Sequence, residues 1–149
     1  MRASVRRHVE VAVDADRAWA VVGAADVLHL WFPGMASCSV EGDVRTVTTD
    51  AGLTLTEEIV TNDPLQRRFQ YRVSGGFFTE HLGTVDVIAL GPSRCLVVYA
   101  SDADPATMAL VLGGATAGAL EELRRQLEAG TGPAVDAVAD RPTHDTGGS

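Results

Sequence analysis

Glu57 stands where a carboxylate is least expected. Leu53, Leu55 and Ile59 share its parity along a stretch that alternates like a strand, so one acid interrupts an otherwise apolar face. An unpaired carboxylate is costly to bury, so Glu57 calls for a partner or a raised pKa. The hairpin before it supplies a partner. Asp50-Ala51-Gly52 has the composition of a three-residue loop with Gly52 in the left-handed position. That loop sets Thr49 opposite Leu53, Val47 opposite Leu55 and Arg45 opposite Glu57, whereas a two-residue loop would set Arg45 opposite Glu58. Two readings stay open. The pair grips the polar end of a ligand inside an apolar cavity, or it is a cross-strand ion pair on the sheet surface, worth less than about 1 kcal/mol. On the first reading Glu57→Gln weakens ligand binding with little loss of stability.

His81 has the parity of Val85 and Val87, which aims it inward, where it could hydrogen-bond a ligand or act as general acid or base. The competing reading is a structural histidine. Tyr71 shares the inward face of its strand with Phe69 and Val73 and offers a hydroxyl in an apolar setting; the competing reading is a core tyrosine paired to backbone. Trp31 and Phe32, with His29 before them, either line a cavity mouth or plug the short helices onto the sheet. Met108, Val111, Leu112 and Ala115, with Gly113-Gly114 and Gly118, leave room at the start of a long helix, unless the glycines serve close packing of helix on sheet. The histidines at 8, 29, 81 and 144 have no metal-ligand spacing, and no metal is expected. No nucleophile elbow, phosphate loop or dinucleotide fingerprint is present, and no cofactor is expected.

The elements that must position these residues follow from periodicity. Val5 to Val13 alternates as a first strand. Asp14 caps a short helix ending near Gly23, a second short helix covers Ala24 to Leu30, and Pro33-Gly34 stops it. Strands follow at Ala36 to Glu41, Val44 to Thr49, Leu53 to Thr61, Arg67 to Val73, Glu80 to Leu90 and Arg94 to Ser101. Asp104-Pro105 opens a long helix, Asp as cap and Pro at the first helical position, that runs to about Ala129 and ends at Gly130. Leu112, Leu120, Leu123 and Leu127 form its apolar stripe. Residues 130–149 read as a disordered tail behind a 1–129 domain.

The chain's 149 residues suit one domain. A net charge of -8 argues against nucleic acid and against anionic membrane surfaces. No run approaches a membrane span, and no apolar segment follows the basic N-terminus as in a secretory signal. The two cysteines, Cys38 and Cys95, read as small buried hydrophobes in a reducing compartment, so a cytoplasmic location is expected.

The order of elements carries landmarks: Trp19; Trp31-Phe32-Pro33-Gly34; Gly42-Asp43-Val44-Arg45; Gly52 followed by Glu57; Asn62-Asp63; Tyr71-Arg72-Val73; Gly75-Gly76; and Ala119-Leu120-Glu121-Glu122-Leu123. Over residues 3–129 this set resembles the helix-grip superfamily of START-like and polyketide cyclase-like proteins (SRPBCC), in particular bacterial relatives of plant abscisic-acid receptors. The resemblance implies an α+β helix-grip fold. A curved seven-stranded antiparallel sheet, two short helices and a long C-terminal helix would enclose a cavity for lipids, polyketides or other apolar molecules. It further places Ala51-Gly52-Leu53 at a gate and Phe77-Phe78 at a latch over the mouth. The receptors' carboxylate-anchoring Lys position is Ala36 here, before Cys38, which argues against the hormone as ligand. The cavity walls are then expected to carry Leu55, Tyr71, Val85 and Val98. Met108 and Leu112 form the lid, Trp31, Phe32 and Phe78 stand near the mouth, and Glu57, Arg45 and His81 make the polar spot. The leading functional expectation is a non-catalytic binder or carrier of a small apolar molecule. The alternatives are a cyclase or dehydratase that uses Glu57, His81 and Tyr71 for proton transfer, and a chaperone-stimulating type of interaction module without ligand. A homodimer is compatible with the sequence, but no feature demands it.

Overall fold

A computed structural model describes residues 1–130. β1 (Ala3–Val11) leads to α1 (Ala15–Val22), then to a 3₁₀ turn (Ala25–Val27) that runs into α2 (Leu28–Trp31). Six strands follow: β2 (Met35–Glu41), β3 (Val44–Thr49), β4 (Thr54–Asp63), β5 (Arg68–Val73), β6 (Glu80–Gly91) and β7 (Arg94–Asp104). The chain then enters α3 (Ala106–Ala129). The seven strands form one antiparallel sheet in the order β1-β7-β6-β5-β4-β3-β2. α3 lies across β1 and β7, α1 packs against β6 and β7, and α2 bridges β2 and α3. This is the expected α+β helix-grip architecture: a sheet and a long helix bury their apolar faces against each other. The expected tail lies outside the described residues beyond Gly130.

Local chemistry explains the boundaries. The Asp14 side chain accepts from the Arg17 amide and caps α1. Asp104 does not cap α3 as its sequence position suggests. It is the last residue of β7, still paired with Glu80, and its carbonyl accepts from both the amide and the hydroxyl of Thr79. Pairing to the sheet holds this backbone extended, so the helix begins only at Ala106, without a side-chain cap. At the far end Gly130 takes the left-handed conformation that closes a helix.

The inward face of β7 carries Cys95, Val97, Tyr99, Ser101 and Ala103, all buried. Val98, expected on this wall, points to the opposite face beside His8 and Leu96. The segment Cys95-Leu96-Val97-Val98 is apolar in both parities, and a one-residue shift in the pattern exchanges the faces. Gly113 is buried, and an added Cβ there would lie 3.0 Å from Val5 and 3.1 Å from an Arg7 nitrogen. Its role is the close approach of α3 to β1. Gly114 and Gly118 face open space.

A second close approach shapes the inner face. Gly83 pairs with Tyr71, whose ring lies across the glycine, and a Cβ at Gly83 would sit 2.5 Å from that ring. The Tyr71 ring cannot retreat without losing its hydroxyl contact to Tyr99 at 2.5 Å. Gly83→Ala should therefore destabilise the protein by about 1–3 kcal/mol, the usual cost of overpacking. Chemical denaturation checks this. An unchanged midpoint would mean that the tyrosine is free to move.

Candidate functional site

Between α3 and the inner face of the sheet lies a cavity of about 240 Å³. The sheet contributes Leu55, Glu57, Tyr71, Val73, His81 and Tyr99; α3 contributes Met108, Leu112 and Thr116. Leu28, Phe32, Met35, Leu53, Phe77 and Phe78 complete the wall. Leu53 and Phe77 are 48% and 67% exposed, so the lining reaches the surface through the two loops and gives the cavity an apolar mouth. Three wider hollows exist: two of about 480 Å³, one near Asp26 and Asp43 and one along His8 and Leu96 on the outer face, and one of about 390 Å³ beside Glu58, Arg72 and Glu80. All three are shallower and lack an enclosed apolar wall, so the smaller cavity is the better ligand site.

Most of the expected residues meet there, with informative exceptions. Glu57, Tyr71, His81, Leu55, Phe32, Phe78, Met108 and Leu112 line the cavity. Trp31 is buried instead in the core, its ring 6.1 Å from Phe32, and so acts as the plug that its position also allowed. Val85 points inward but lies within the packed core. Val98 is on the outer face. Arg45 stands behind Glu57 rather than on the wall. Sequence reasoning missed Tyr99, although its parity with Cys95 and Val97 was available.

The hairpin register is the one that the three-residue loop requires. Arg45 faces Glu57, Val47 faces Leu55, and the Thr49 amide donates to the Leu53 carbonyl. The pair is buried, at 2% and 3% exposure, which settles its place inside the sheet rather than on its surface. The Arg45 Nε and Nη2 donate to Glu57 Oε2 at 3.2 and 2.8 Å, and Nη1 donates to the Ala25 carbonyl at 3.2 Å. The guanidinium also lies 5.1 Å from the Phe69 ring and 5.0 Å from the Tyr71 ring, within cation–π range. Burial pushes the Glu57 carboxyl pKa up, and the charge and hydrogen bonds of Arg45 only partly pull it back. Burial alone would lower the pKa of Arg45, but Glu57 reverses that and raises it. Both guanidinium bonds to the carboxylate reach Oε2, so Oε1 receives neither of them.

The remaining polar groups sit across the next strands. Tyr71 and Tyr99 share their hydroxyl contact over Gly83, and burial holds both phenols protonated, Tyr99 with a pKa raised to about 12. The His81 Nδ1 accepts from the Val73 amide at 3.0 Å, which leaves the proton of the neutral ring on Nε2. Burial lowers the pKa of His81 to about 4. The imidazole lies between Phe78 and Tyr71, with ring centroids at 5.0 and 5.4 Å. Its Nε2 is buried and finds no hydrogen-bond partner. The site thus offers an anionic acceptor and neutral donors in an apolar enclosure. Among the described residues no group of three or more His, Cys, Asp or Glu could hold a metal ion, and no helix is long and apolar enough to cross a membrane.

Comparisons with known proteins agree with this architecture. Among solved structures, an aromatase/cyclase from Streptomyces sp. R1128 superposes with a TM-score of 0.73 at 20% identity, covering 86% of this chain and 94% of that one. Norcoclaurine synthase from Thalictrum flavum, in complex with dopamine and hydroxybenzaldehyde, gives a TM-score of 0.71 at 19% identity over 88% of this chain and 89% of that one. The protein XoxI from Bacillus cereus gives 0.79 at 20% identity over 84% and 95%. At these identities the likeness establishes the fold alone. No curated protein matches the chain by sequence. A family model described as polyketide cyclase / dehydrase and lipid transport matches residues 2–129, and the chain belongs to that family.

Proposed function

We propose that the protein binds a small, largely apolar molecule in the cavity under α3, with the molecule's polar end at Glu57, Tyr71 and His81. The observation that carries this reading is their convergence: one enclosed apolar cavity holds all three groups, with a buried guanidinium behind the carboxylate. At about 240 Å³ the cavity is somewhat below the ~300–1,000 Å³ common for ligand sites, which favours a compact ligand over a long acyl chain. Leu55, Phe32, Phe78, Met108 and Leu112 would bury its apolar body. Arg45 would act through Glu57, and Trp31 and Val85 through packing. Phe77, Phe78 and Leu53 would form the entrance.

A second reading is proton-transfer catalysis of the cyclase or dehydratase kind, since Glu57, Tyr71 and His81 line the same cavity. The chemistry of His81 favours binding instead. With Nδ1 held by a backbone amide and a pKa near 4, the ring donates a hydrogen bond but does not take up a proton near neutral pH. Any base would have to be Glu57. Exchange of solvent deuterium into a bound ketone, abolished by Glu57→Gln, would favour the enzyme; binding without exchange favours the carrier. A ligand-free interaction module, whose side chains would fill the same space, has less support.

Three measurements test this reading. Native mass spectrometry of gently purified protein should show a co-purified organic molecule of low mass that is released on denaturation; protein with no adduct and no affinity for small apolar compounds would sink the proposal. Glu57→Gln, first expected to be mild, should cost about 3–5 kcal/mol, because it leaves the Arg45 charge buried without a countercharge, facing only neutral acceptors and two rings. The double variant Arg45→Met/Glu57→Leu should recover most of that stability and still bind poorly, which separates the structural role from the ligand role. If the double variant binds like the natural protein, the carboxylate does not hold the ligand. Finally, His81 titrates near 4 when folded and near 6.5 when unfolded, so the unfolded chain binds the extra proton first. Stability contributed by neutral His81 is present above about pH 6.5 and is lost as pH falls through about 4, by up to roughly 3 kcal/mol. Glu57, with its raised pKa, works in the opposite sense, gaining stability as the pH falls toward the ordinary carboxylate range. Denaturation curves at pH 7 and 4.5 should therefore be compared between the natural protein and His81→Gln, and the variant should show the smaller loss.

A further inference from the structure

The polar groups of the cavity differ in what they still lack, and this narrows the chemistry of the ligand. His81 is 4% exposed, its Nδ1 is committed to the Val73 amide, and its Nε2–H is a buried donor without a protein acceptor. Tyr71 and Tyr99 together own two hydroxyl hydrogens and share one contact, so one hydrogen is spent between them and one is left over. No other hydrogen bond is formed by either hydroxyl among the described residues. Glu57 is the converse: an acceptor whose Oε2 is taken by Arg45 and whose Oε1 receives neither guanidinium bond.

The register sets the spacing. Glu57 pairs with Val73, and two residues beyond the Tyr71–Gly83 pair His81 stands beside Val73 on its other flank. Glu57 and His81 are thus two strand spacings apart, about 10 Å between backbones, with the tyrosine hydroxyls on the same inner face. The lining of the cavity therefore carries an acceptor residue on one flank and donor residues on the others.

We propose that the ligand is a neutral hydroxy-carbonyl compound, its carbonyl oxygen accepting from His81 Nε2–H and its hydroxyl, several bonds away, donating to Glu57 Oε1. The proposal rests on the cavity reading above and adds the class of molecule. Nε2 is buried, so a carbonyl would reach it only if a neighbouring side chain, such as the Phe78 ring 5.0 Å from the imidazole, gave way. Burying a donor without a partner is costly, and a carbonyl oxygen supplies the missing acceptor. A carboxylate ligand would meet the Glu57 charge instead, with the buried Arg45 behind it already engaged. A purely apolar ligand would leave the imidazole N–H and the spare hydroxyl hydrogen unpaired.

The test uses shape-matched probes on the full chain: 4-hydroxyacetophenone, 4-hydroxybenzoate and 4-ethylphenol, with the analogous trio on a naphthalene ring. Affinities are read by calorimetry and by ligand-observed NMR. In each trio the ketone should bind at least about tenfold tighter than the ethyl compound, the discrimination expected of one buried hydrogen bond. The carboxylate should be weakest. His81→Leu should erase the preference for the ketone, bringing the ketone-to-ethyl affinity ratio close to one. Because His81→Leu also orphans the Val73 amide, a shift of the bound ketone's carbonyl stretch to lower wavenumber in the natural protein gives an independent reading. Ethyl compounds that bind as tightly as ketones, carboxylates that bind tightest, or an unshifted carbonyl stretch would overturn the inference while leaving the cavity reading intact. No binding by any of the six probes would overturn both.

Discussion

The buried contact between Arg45 and Glu57 is the constraint from which the inner face of this protein is organised. Two opposite charges sit on adjacent strands with almost no exposure, and each is tolerable only because the other is there. The requirement reaches beyond the pair. The guanidinium needs more acceptors than one carboxylate oxygen provides, and it finds the Ala25 carbonyl, which ties the 3₁₀ turn before α2 to β3. Its faces meet Phe69 and Tyr71, so two aromatic positions on β5 serve the same charge. A one-residue slip of the β3–β4 hairpin would place Arg45 against Glu58, on the opposite face, and leave Glu57 alone among apolar side chains. The three-residue loop at residues 50–52 excludes that slip, so a local turn preference carries the weight of a buried charge pair.

The neighbouring strands build on this arrangement through a glycine. Because Gly83 has no side chain, the Tyr71 ring lies flat over β6 and its hydroxyl reaches Tyr99 on β7. The ring that stacks on Arg45 thereby connects the ion pair to the far side of the cavity. At the end of β5 the sheet ladder gives way: the Val73 amide bonds to the His81 ring rather than to a strand carbonyl. That single substitution of side chain for backbone fixes the imidazole tautomer, and with it which nitrogen carries the proton.

Much of this was legible in the sequence where two independent signals agreed. The register of Arg45 and Glu57 followed from loop length together with alternation, and the inward aim of Tyr71 and His81 followed from their parity with Phe69 and with Val85 and Val87. Where the pattern was apolar on both faces, parity said nothing. Val98 was placed on the wrong side of β7 for that reason, and Tyr99, two strands from Tyr71, went unnoticed as its partner. Burial was the other limit. Alternation shows that Glu57 and Arg45 share a face, but whether α3 and α2 cover that face depends on packing between elements distant in sequence. Asp104 misled in a similar way, since its cap-like sequence was outweighed by pairing with Glu80 across the sheet. The glycines at 113 and 114 look alike in the chain and differ entirely in the fold, one pressed against Val5 and the other facing open space.

Family membership sets the enclosure, and the chain's own residues set what the enclosure can recognise. A helix laid over a sheet leaves space wherever the strands diverge from the helix axis, and the residues at that place decide whether the space is filled, greasy or polar. Here Met108, Leu112 and Phe32 supply an apolar wall, while the charged group that reaches the wall has its countercharge directly behind it. The Coulomb field of such a pair falls off faster than that of a lone ion, so the cavity presents oriented dipoles more than net charge. Oriented dipoles in an apolar surrounding discriminate by the direction of hydrogen bonds. A small molecule held there would be selected less by its shape, which a 240 Å³ space open at an exposed Phe77 rim constrains only loosely, than by whether its donors and acceptors face the right flanks.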